Sequence, residues 1–218
     1  MEEAHCQEAH CQETQEKVLL MASVVGICNI ALNNLGDEKI SSLSDNNDRA
    51  RSCDLRYEDV RDAVLRAHPW NCATTRVELA QSTDTPAWGF SYKYALPSDC
   101  LRVLDVYDYT VPFSIEGRFL LTENSSAKLK YIARITDPND YDILLQQAIG
   151  IRLASEIAEA LTGRTELKQE MYQKYLLVLS EARGVDSQET GMPMVIEAND
   201  LINSRFDTSY LLNTSTTI

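Results

Sequence analysis

The apolar residues between positions 47 and 70 recur at intervals of three and four along the chain. They are Ala50, Cys53, Tyr57, Val60, Val64 and Ala67. This spacing places them on one face of an α-helix, and charged residues occupy the other faces. Asn47 or Asp45 can cap the first turn, because their side chains accept hydrogen bonds from free backbone N–H groups. Pro69 disfavours helical geometry at the residue before it, so the helix is predicted to end there.

Three further segments show the same helical period. The first covers residues 14–35 and is followed by Gly36, a residue type that commonly ends helices. The second begins at the Asp-Pro pair of residues 137–138, which is typical of helix starts, and ends at Gly163. The third follows it closely and is predicted to end at Gly184. Because the connection between the last two helices is so short, we expect them to lie antiparallel.

Between residues 88 and 135 the pattern changes to short runs rich in β-branched and aromatic residues, separated by proline and glycine. Residues 116–117 are predicted to form a hairpin turn. We therefore predict a small antiparallel sheet of three to five strands. It is inserted between helices 2 and 3 in chain order, which are the helix at residues 47–70 and the helix that begins at residues 137–138. Residues 71–80, just before it, are compatible with either a short helix or an extended segment. The predicted fold class is α+β, mainly α, with a four-helix bundle-like core.

These patterns divide the chain into three regions. Residues 1–13 are predicted to be a flexible extension, residues 14–184 a helical core that includes the β subdomain at 88–135, and residues 185–218 an extended C-terminal arm. The arm has no sustained period, and one interpretation is a disordered tail. It nevertheless contains too many apolar residues for a purely solvated segment. This composition favours an arm that becomes ordered on a partner.

The chain carries 20 basic and 33 acidic residues, a formal net charge of -13. Such a surface repels phosphate, so binding to nucleic acid through a broad basic face is not expected. The acidic N-terminus does not resemble a signal peptide, and the apolar run at 18–35 is too polar for a membrane span. We therefore expect folding in a reducing cytoplasm. Cys28, Cys53 and Cys72 have apolar neighbours and are expected to be buried.

Few residues suggest chemistry. The sequence EAHCQ occurs twice in succession and places four groups that could ligate zinc or nickel near the N-terminus: His5, Cys6, His10 and Cys11. The close spacing favours a short duplication over a metal site, so we expect no metal. No nucleotide, zinc-protease or esterase motif is present, and no cofactor is expected. His68 directly precedes Pro69 and is expected to cap helix carbonyls or to lie beside the helix dipole.

Carboxylate pairs on common helix faces leave one enzymatic alternative open. Glu156 and Glu159 form one such pair, and Glu58 and Asp62 form another. Two carboxylates are the machinery of glycoside hydrolysis, so a glycosidase-like pair is the enzymatic alternative. Pairs of this kind occur on any acidic helix, and the sequence favours a protein that is not an enzyme.

A series of motifs runs in one order along the chain: ALNNLGDEKISSL, RARSCDLRYEDVRDAVLRAHPWNCATTRVELA, YKYALPSDCLRVLDVY, IEGRFLL, LKYIARITDPNDYDILLQQAIGIRLASEIAEALTG and ANDLINSRF. Together they resemble the head-to-tail adaptor proteins of short-tailed bacteriophages, also called tail accessory factor or tail tubular protein A. The resemblance covers residues 28–206. The most telling positions lie in AHPW and LPSDCLRV: Ala67, His68, Pro69, Trp70, Leu96, Pro97, Asp99, Leu101 and Arg102.

The resemblance implies a structural role in the virion. In that setting the enzymatic alternative becomes a virion-associated peptidoglycan hydrolase that uses the helical carboxylates. Members of this family form a ring, commonly of twelve copies, beneath the portal at the genome-packaging vertex. The ring extends the DNA channel, helps to retain packaged DNA and provides the platform for the tail nozzle. The implied partners are the portal protein, the nozzle or tube protein, and further copies of this chain. Double-stranded DNA would pass through the channel without specific binding, and no membrane partner is implied.

In this scheme the C-terminal arm docks on the portal and becomes ordered there. The residues expected to make that contact are mainly apolar: Met192, Met194, Val195, Ile196, Leu201, Ile202, Arg205, Phe206 and Tyr210.

Overall fold

The computed structural model of the protein describes residues 23–107 and 111–189. Within these residues the fold is mixed α+β, with four α-helices and two three-stranded antiparallel sheets. The helices are α1 (Val24–Leu35), α2 (Asp48–Ala67), α3 (Ile143–Thr162) and α4 (Thr165–Glu189). The strands are β1 (Thr74–Leu79), β2 (Tyr92–Ala95), β3 (Cys100–Val106), β4 (Phe113–Glu116), β5 (Phe119–Thr122) and β6 (Ala127–Ala133). Residues 1–13 and nearly all of the predicted C-terminal arm lie outside the described residues.

Helix α1 is shorter than the sequence predicts. Ser23 has extended backbone geometry, and its side chain accepts a hydrogen bond from the Gly26 N–H, so the helix begins at Val24. The predicted continuous helix over residues 14–35 is therefore wrong at its start. Its end is confirmed, because Gly36 adopts a left-handed conformation with φ 72° and its N–H bonds to carbonyls of the last turn.

Helix α2 matches the prediction closely. The Asn47 side chain accepts a hydrogen bond from the Ala50 N–H at 2.7 Å, which confirms the cap. The apolar stripe is buried from Ala50 to Val64, but Ala67 at its end is exposed. Arg61, which the helical period assigns to a solvent face, is instead buried beside Asp62. The buried face is thus wider than the stripe.

Helix α3 lies at the centre of the helical layer and packs against α1, α2 and α4. The predicted start at residues 137–138 is wrong, because Pro138–Asp140 forms a short 3-10 turn. The helix begins at Ile143, where the Asp142 side chain accepts a hydrogen bond from the Leu144 N–H. Gly163 ends it with φ 66°, as predicted.

Helix α4 continues past its predicted end. Gly184 lies inside the helix, which runs to Glu189. Lys168 pairs with Glu159, whereas Arg152 lies over the rings of Tyr172 and Tyr175. Because residues later in α4 meet residues earlier in α3, the two helices are antiparallel, which confirms the predicted helical hairpin.

The β strands form two sheets, which corrects the prediction of a single sheet. Five strands lie within residues 88–135, in agreement with the predicted number, and β1 lies before that region. The first sheet has the order β1-β6-β3 and the second has the order β2-β5-β4. Residues 71–80, which the sequence leaves ambiguous, form a 3-10 turn at Asn71–Ala73 followed by β1. The hairpin turn between β4 and β5 occupies Gly117, with φ 59°, and Arg118, one residue later than predicted.

The structure has two apolar cores, one associated with the helices and one between the two sheets. The larger lies among the four helices and includes Ile132 of β6. The smaller lies between the sheets, where Leu129 and Tyr131 of β6 meet Tyr94 and Leu120 of the second sheet. Successive residues of a strand point to opposite faces, so β6 contributes to both cores. The first sheet is therefore the middle layer, between the helices and the second sheet.

Cys28 and Cys53 are buried as predicted, but Cys72 is exposed, which corrects the expectation for that residue.

None of the described helices is both long enough and apolar enough to cross a membrane.

Candidate functional site: the junction at the carboxyl end of α2

The two most telling motifs meet at the carboxyl end of α2. Arg102 Nη1 donates a hydrogen bond to the Arg66 carbonyl at 3.1 Å. In return, Arg66 Nη1 donates to the Leu101 carbonyl. These reciprocal bonds join the residue before AHPW to the end of LPSDCLRV, although the two segments lie about 35 residues apart in sequence. We call this region the α2 junction.

Side chains satisfy the last carbonyl groups of α2. The final four carbonyls of a helix have no partners within the helix and need other donors. Trp70 Nε1 donates to the Val64 carbonyl at 3.0 Å, and Arg183 Nη2 donates to the Ala67 carbonyl at 3.3 Å. Together with Arg102 they bring donors from a loop, from β3 and from α4. The end of α2 is thus tied to three different parts of the chain.

Trp70 is the apolar anchor of the junction. Its side chain is 1% exposed and lies within the larger core. The His68 and Trp70 rings meet in a T-shaped contact, with ring centroids 4.7 Å apart and the planes at 72°. Such edge-to-face contacts are favourable because the positive ring edge meets the negative face. The indole therefore combines apolar burial with a hydrogen bond to the helix end.

His68 is the C-cap residue of α2, beside the helix dipole, which is one of the two expected positions, but its hydrogen-bond partner is not a helix carbonyl. Its Nε2 atom lies 3.0 Å from Asp186 Oδ2, and both side chains are largely buried. The carbonyls that the sequence assigns to His68 are bonded by Arg102 and Arg183 instead. His68 therefore links α2 to the last turns of α4.

Asp186 and Asn71 complete this link, and the sequence analysis missed both. The Asn71 N–H donates to Asp186 Oδ1 at 2.9 Å, and Asn71 Nδ2 donates to the Asp186 carbonyl at 2.7 Å. The sequence predicts that α4 ends at Gly184, so the position of Asp186 falls within the predicted C-terminal arm. The partners are 115 positions apart, and no local pattern reports such a contact. The sequence contains no signal that would have found this pair.

The remaining motif residues connect the two sheets. The Leu96 N–H donates to the Arg118 carbonyl at 2.9 Å, and Arg118 donates to the Pro97 carbonyl. The Asp99 carboxylate accepts a hydrogen bond from the Tyr131 hydroxyl at 3.3 Å. Burial raises the pKa of the Tyr131 phenol, and the Asp99 carboxylate raises it further, so the hydroxyl keeps the proton that it donates. LPSDCLRV thus spans from the second sheet to the α2 junction.

Pro69 and Ala67 lie at the surface of the junction, whereas Trp70 lies inside it. Pro69 follows the extended residue His68, which is the C-cap of α2. The portal-docking residues predicted in the arm, Met192 to Tyr210, lie outside the described residues, as does the EAHCQ repeat.

The carboxylate pairs that suggest a hydrolase are engaged in ion pairs. Asp62 Oδ2 lies 2.7 Å from Arg134 Nε, and Asp62 Oδ1 lies 2.9 Å from Arg61 Nε. Glu156 pairs with Arg152 at 2.6 Å, and Glu159 pairs with Lys168 at 3.3 Å. Among residues 23–107 and 111–189, no group of three or more His, Cys, Asp or Glu residues could hold a metal ion.

The contacts at the α2 junction are suited to mechanical connection. They join α2 and the loop after it to β3 and α4 through hydrogen bonds, of which the Trp70 bond is buried, through aromatic packing and through the His68–Asp186 contact. Comparison with models of known protein families gives no match, and comparison with curated proteins gives no significant match.

Proposed function

We propose that the protein is a structural head-to-tail adaptor of a short-tailed bacteriophage, which forms a ring of about twelve copies beneath the portal and assembles through cyclic contacts. The observation that carries the proposal is the α2 junction. AHPW follows directly on α2 there, and Arg66, the residue before it, exchanges hydrogen bonds with Leu101 and Arg102 of LPSDCLRV. The position of both motifs at this junction favours a preserved structural unit over a chance similarity of short motifs.

The surface offers side chains for contacts between subunits. In a ring each subunit uses one patch to bind a different patch on its neighbour. Several large apolar side chains are well exposed, among them Leu55 on α2, Ile143 on α3 and Leu177 on α4. Scattered apolar residues are common on surfaces, but the fully buried centre of an interface is also more apolar than its rim. They supply candidate contact points on three helices.

The helices supply the stiffness that a connector needs. We propose that they act as a four-helix bundle-like core, with α2 as a strut of about 30 Å, given a rise of ~1.5 Å per residue. Both ends of α2 are capped by side chains, at Asn47 and at the α2 junction. The net charge of -13 gives the channel wall few sites at which DNA phosphates would bind, so DNA could slide past it.

The extended C-terminal arm provides the proposed contact with the portal. Its apolar residues would be buried in a groove of the portal, and the arm would lose conformational entropy only on binding. The nozzle or tube protein would bind the opposite side of the ring. The site of action would be the virion tail at the portal vertex, after folding in the cytoplasm of the host bacterium.

The test is assembly on portal rings. The purified full chain is mixed with portal, and the complexes are examined by electron microscopy and by sedimentation. We expect an added ring below the portal, and a persistent failure to bind would contradict the proposal.

A truncated chain tests the arm. Deletion should begin at residue 190, because Asp186 and the end of α4 belong to the α2 junction. We expect this variant to keep its thermal stability and to lose portal binding. Leu212→Ser in the full-length chain is the matched control, since it keeps the arm and lies outside the predicted docking residues. Undiminished binding by the truncated chain would remove the arm from the proposal.

A further inference from the structure

Among the described residues, the two sheets have four outer edges, and three of these are protected. Exposed edges invite pairing with another chain, so proteins usually protect them with charges, bulges or a covering segment. Strand β1 carries Arg76 and Glu78 along its edge, and β3 has two register shifts. Next to β2, Gln81 bridges Tyr94 and the Ser82 N–H donates to the Lys93 carbonyl at 2.8 Å.

Strand β4 has neither a register shift nor a covering segment among the described residues. It pairs only with β5, in an unshifted register, and no other described segment pairs with its outer side. Its sequence is Phe-Ser-Ile-Glu, with one charge at the end next to the turn. Phe113 and Ile115 are 41% and 43% exposed. Directly opposite residues of antiparallel strands share a face, so Ile115 is on the same face as the fully buried Leu120.

The backbone of β4 is oriented for further pairing. Glu116 and Phe119 flank the two-residue turn, and such flanking residues exchange both backbone hydrogen bonds. The pattern alternates along the strand, so Ile115 and Phe113 direct their N–H and carbonyl groups away from β5. The two residues with exposed side chains are therefore also the two with outward backbone groups.

The same edge on a second copy is complementary to it. In an antiparallel pairing centred on Ser114, Phe113 of one copy lies opposite Ile115 of the other, and Ser114 lies opposite Ser114. Apolar residues then face apolar residues on the buried side of the sheet. Glu116 lies opposite Pro112, so no like charges face each other even though each chain carries a net charge of -13.

We propose that β4 is a self-association edge, at which two copies of this chain pair through their β4 strands to form one continuous six-stranded sheet. The contact is short, with two outward-facing residues from each copy, so it is well below the ~1,200 Å² of buried surface typical of stable complexes. It therefore forms weakly and depends on concentration.

This pairing goes beyond the adaptor function and is independent of it. A two-fold contact uses the same patch on both copies and closes at two, so it cannot build a ring. It would instead occupy the exposed edge of β4 in subunits that have not assembled. A failure to pair would leave ring formation on the portal untouched, because the ring requires different surfaces.

The test introduces a charge of either sign at Ser114. It uses the full-length chain without portal, and the oligomeric state is measured by analytical ultracentrifugation. Ser114→Lys places two like charges opposite each other across the two-fold axis, and Ser114→Glu does the same with the opposite sign. We expect wild-type protein to shift from monomer to dimer between roughly 1 μM and 1 mM, because even interfaces of standard size can be as weak as micromolar. Each variant alone should stay monomeric, and an equimolar mixture of the two should dimerise again.

Thr75→Lys is the matched control, because Thr75 is an exposed residue on the edge strand β1, away from the proposed contact. It should dimerise like wild-type. A wild-type chain that is monomeric throughout, an oligomer larger than two, or dimers that form equally with Ser114→Lys would each overturn the proposal. Restored dimerisation in the mixture cannot result from misfolding, since a misfolded variant would not be rescued by its partner.

Discussion

The two tryptophans of the chain allow a direct test of the proposed core. Trp70 is 1% exposed at the α2 junction, whereas Trp88 is 87% exposed on the loop before β2. A tryptophan buries 150–250 Å², which at ~25 cal/mol per Å² corresponds to about 4–6 kcal/mol as an upper value. Large-to-small core substitutions of this type cost roughly 3–5 kcal/mol. We therefore expect Trp70→Ala to lower the free energy of unfolding by about that amount and Trp88→Ala to change it by less than ~0.5 kcal/mol.

A second substitution separates packing from hydrogen bonding. Trp70→Phe keeps an aromatic ring in the core but removes the N–H that bonds to the Val64 carbonyl at 3.0 Å. Leaving a buried carbonyl without its donor costs about 1–3 kcal/mol, to which the smaller ring adds a little. The expected order of stability is therefore Trp88→Ala, then Trp70→Phe, then Trp70→Ala.

Urea denaturation followed by circular dichroism gives the measurement. The midpoint should fall while the slope m stays constant, because the surface exposed on unfolding hardly changes. Thermal unfolding should show Tm lower by roughly 6–20 °C for Trp70→Ala, at about 2–4 °C per kcal/mol for a chain of this size. If Trp70→Ala costs less than ~1 kcal/mol, or no more than Trp88→Ala, then the core is not organised around the α2 junction.

Three further predictions concern single residues. Gly150→Ala should destabilise by about 1–3 kcal/mol, since the new Cβ would lie 2.8 Å from Ile30 Cγ2, whereas Gly184→Ala should stabilise by up to ~1 kcal/mol because its Cβ meets nothing within 4 Å on a helix. The two denaturation midpoints should move in opposite directions, and a shared direction would contradict the packing of α1 on α3. Asp186→Ala should speed amide hydrogen exchange in the last turns of α4 and cost about 1–3 kcal/mol, and unchanged exchange there would show that these bonds do not hold the helix end. Asn47→Ala should lower stability by about 1 kcal/mol through loss of the α2 cap, with Asn46→Ala as a neighbouring control that should change it less.

Local patterns predicted the elements that depend on neighbouring residues. The stripe of α2 and its Asn47 cap are interactions within three or four positions, so the sequence contains both partners. Gly36 and Gly163 end their helices for an equally local reason, because glycine adopts the left-handed conformation without steric cost. At Gly184 the same argument fails. Contacts of Asp186 with the α2 junction hold the helix together beyond the glycine.

At the α2 junction, too, the sequence predicted local features and missed the contacts between distant residues. The sequence singled out AHPW and LPSDCLRV, but it could not show that Arg66, just before AHPW, bonds to LPSDCLRV. The carbonyls that His68 was one candidate to cap are bonded by Arg102 and Arg183. Strand residues were found from β-branched and aromatic runs, whereas their division into two sheets was not. Which strands pair is decided by contacts over tens of residues, such as β1 with β6, and strand propensity carries no information about partners.

The sequence by itself determined the number and most of the bounds of the described helices, the β character of the region between α2 and α3, and the acidic charge. These follow from side-chain period, caps and composition, all of which act within a few residues or over the chain as a whole. Only the tertiary structure decided that the first sheet lies between the helices and the second sheet, that α2, β3 and α4 meet at one junction, and that β4 presents an open edge. Those features arise where segments distant in the chain bury apolar surface together and must then satisfy one another's hydrogen-bonding groups.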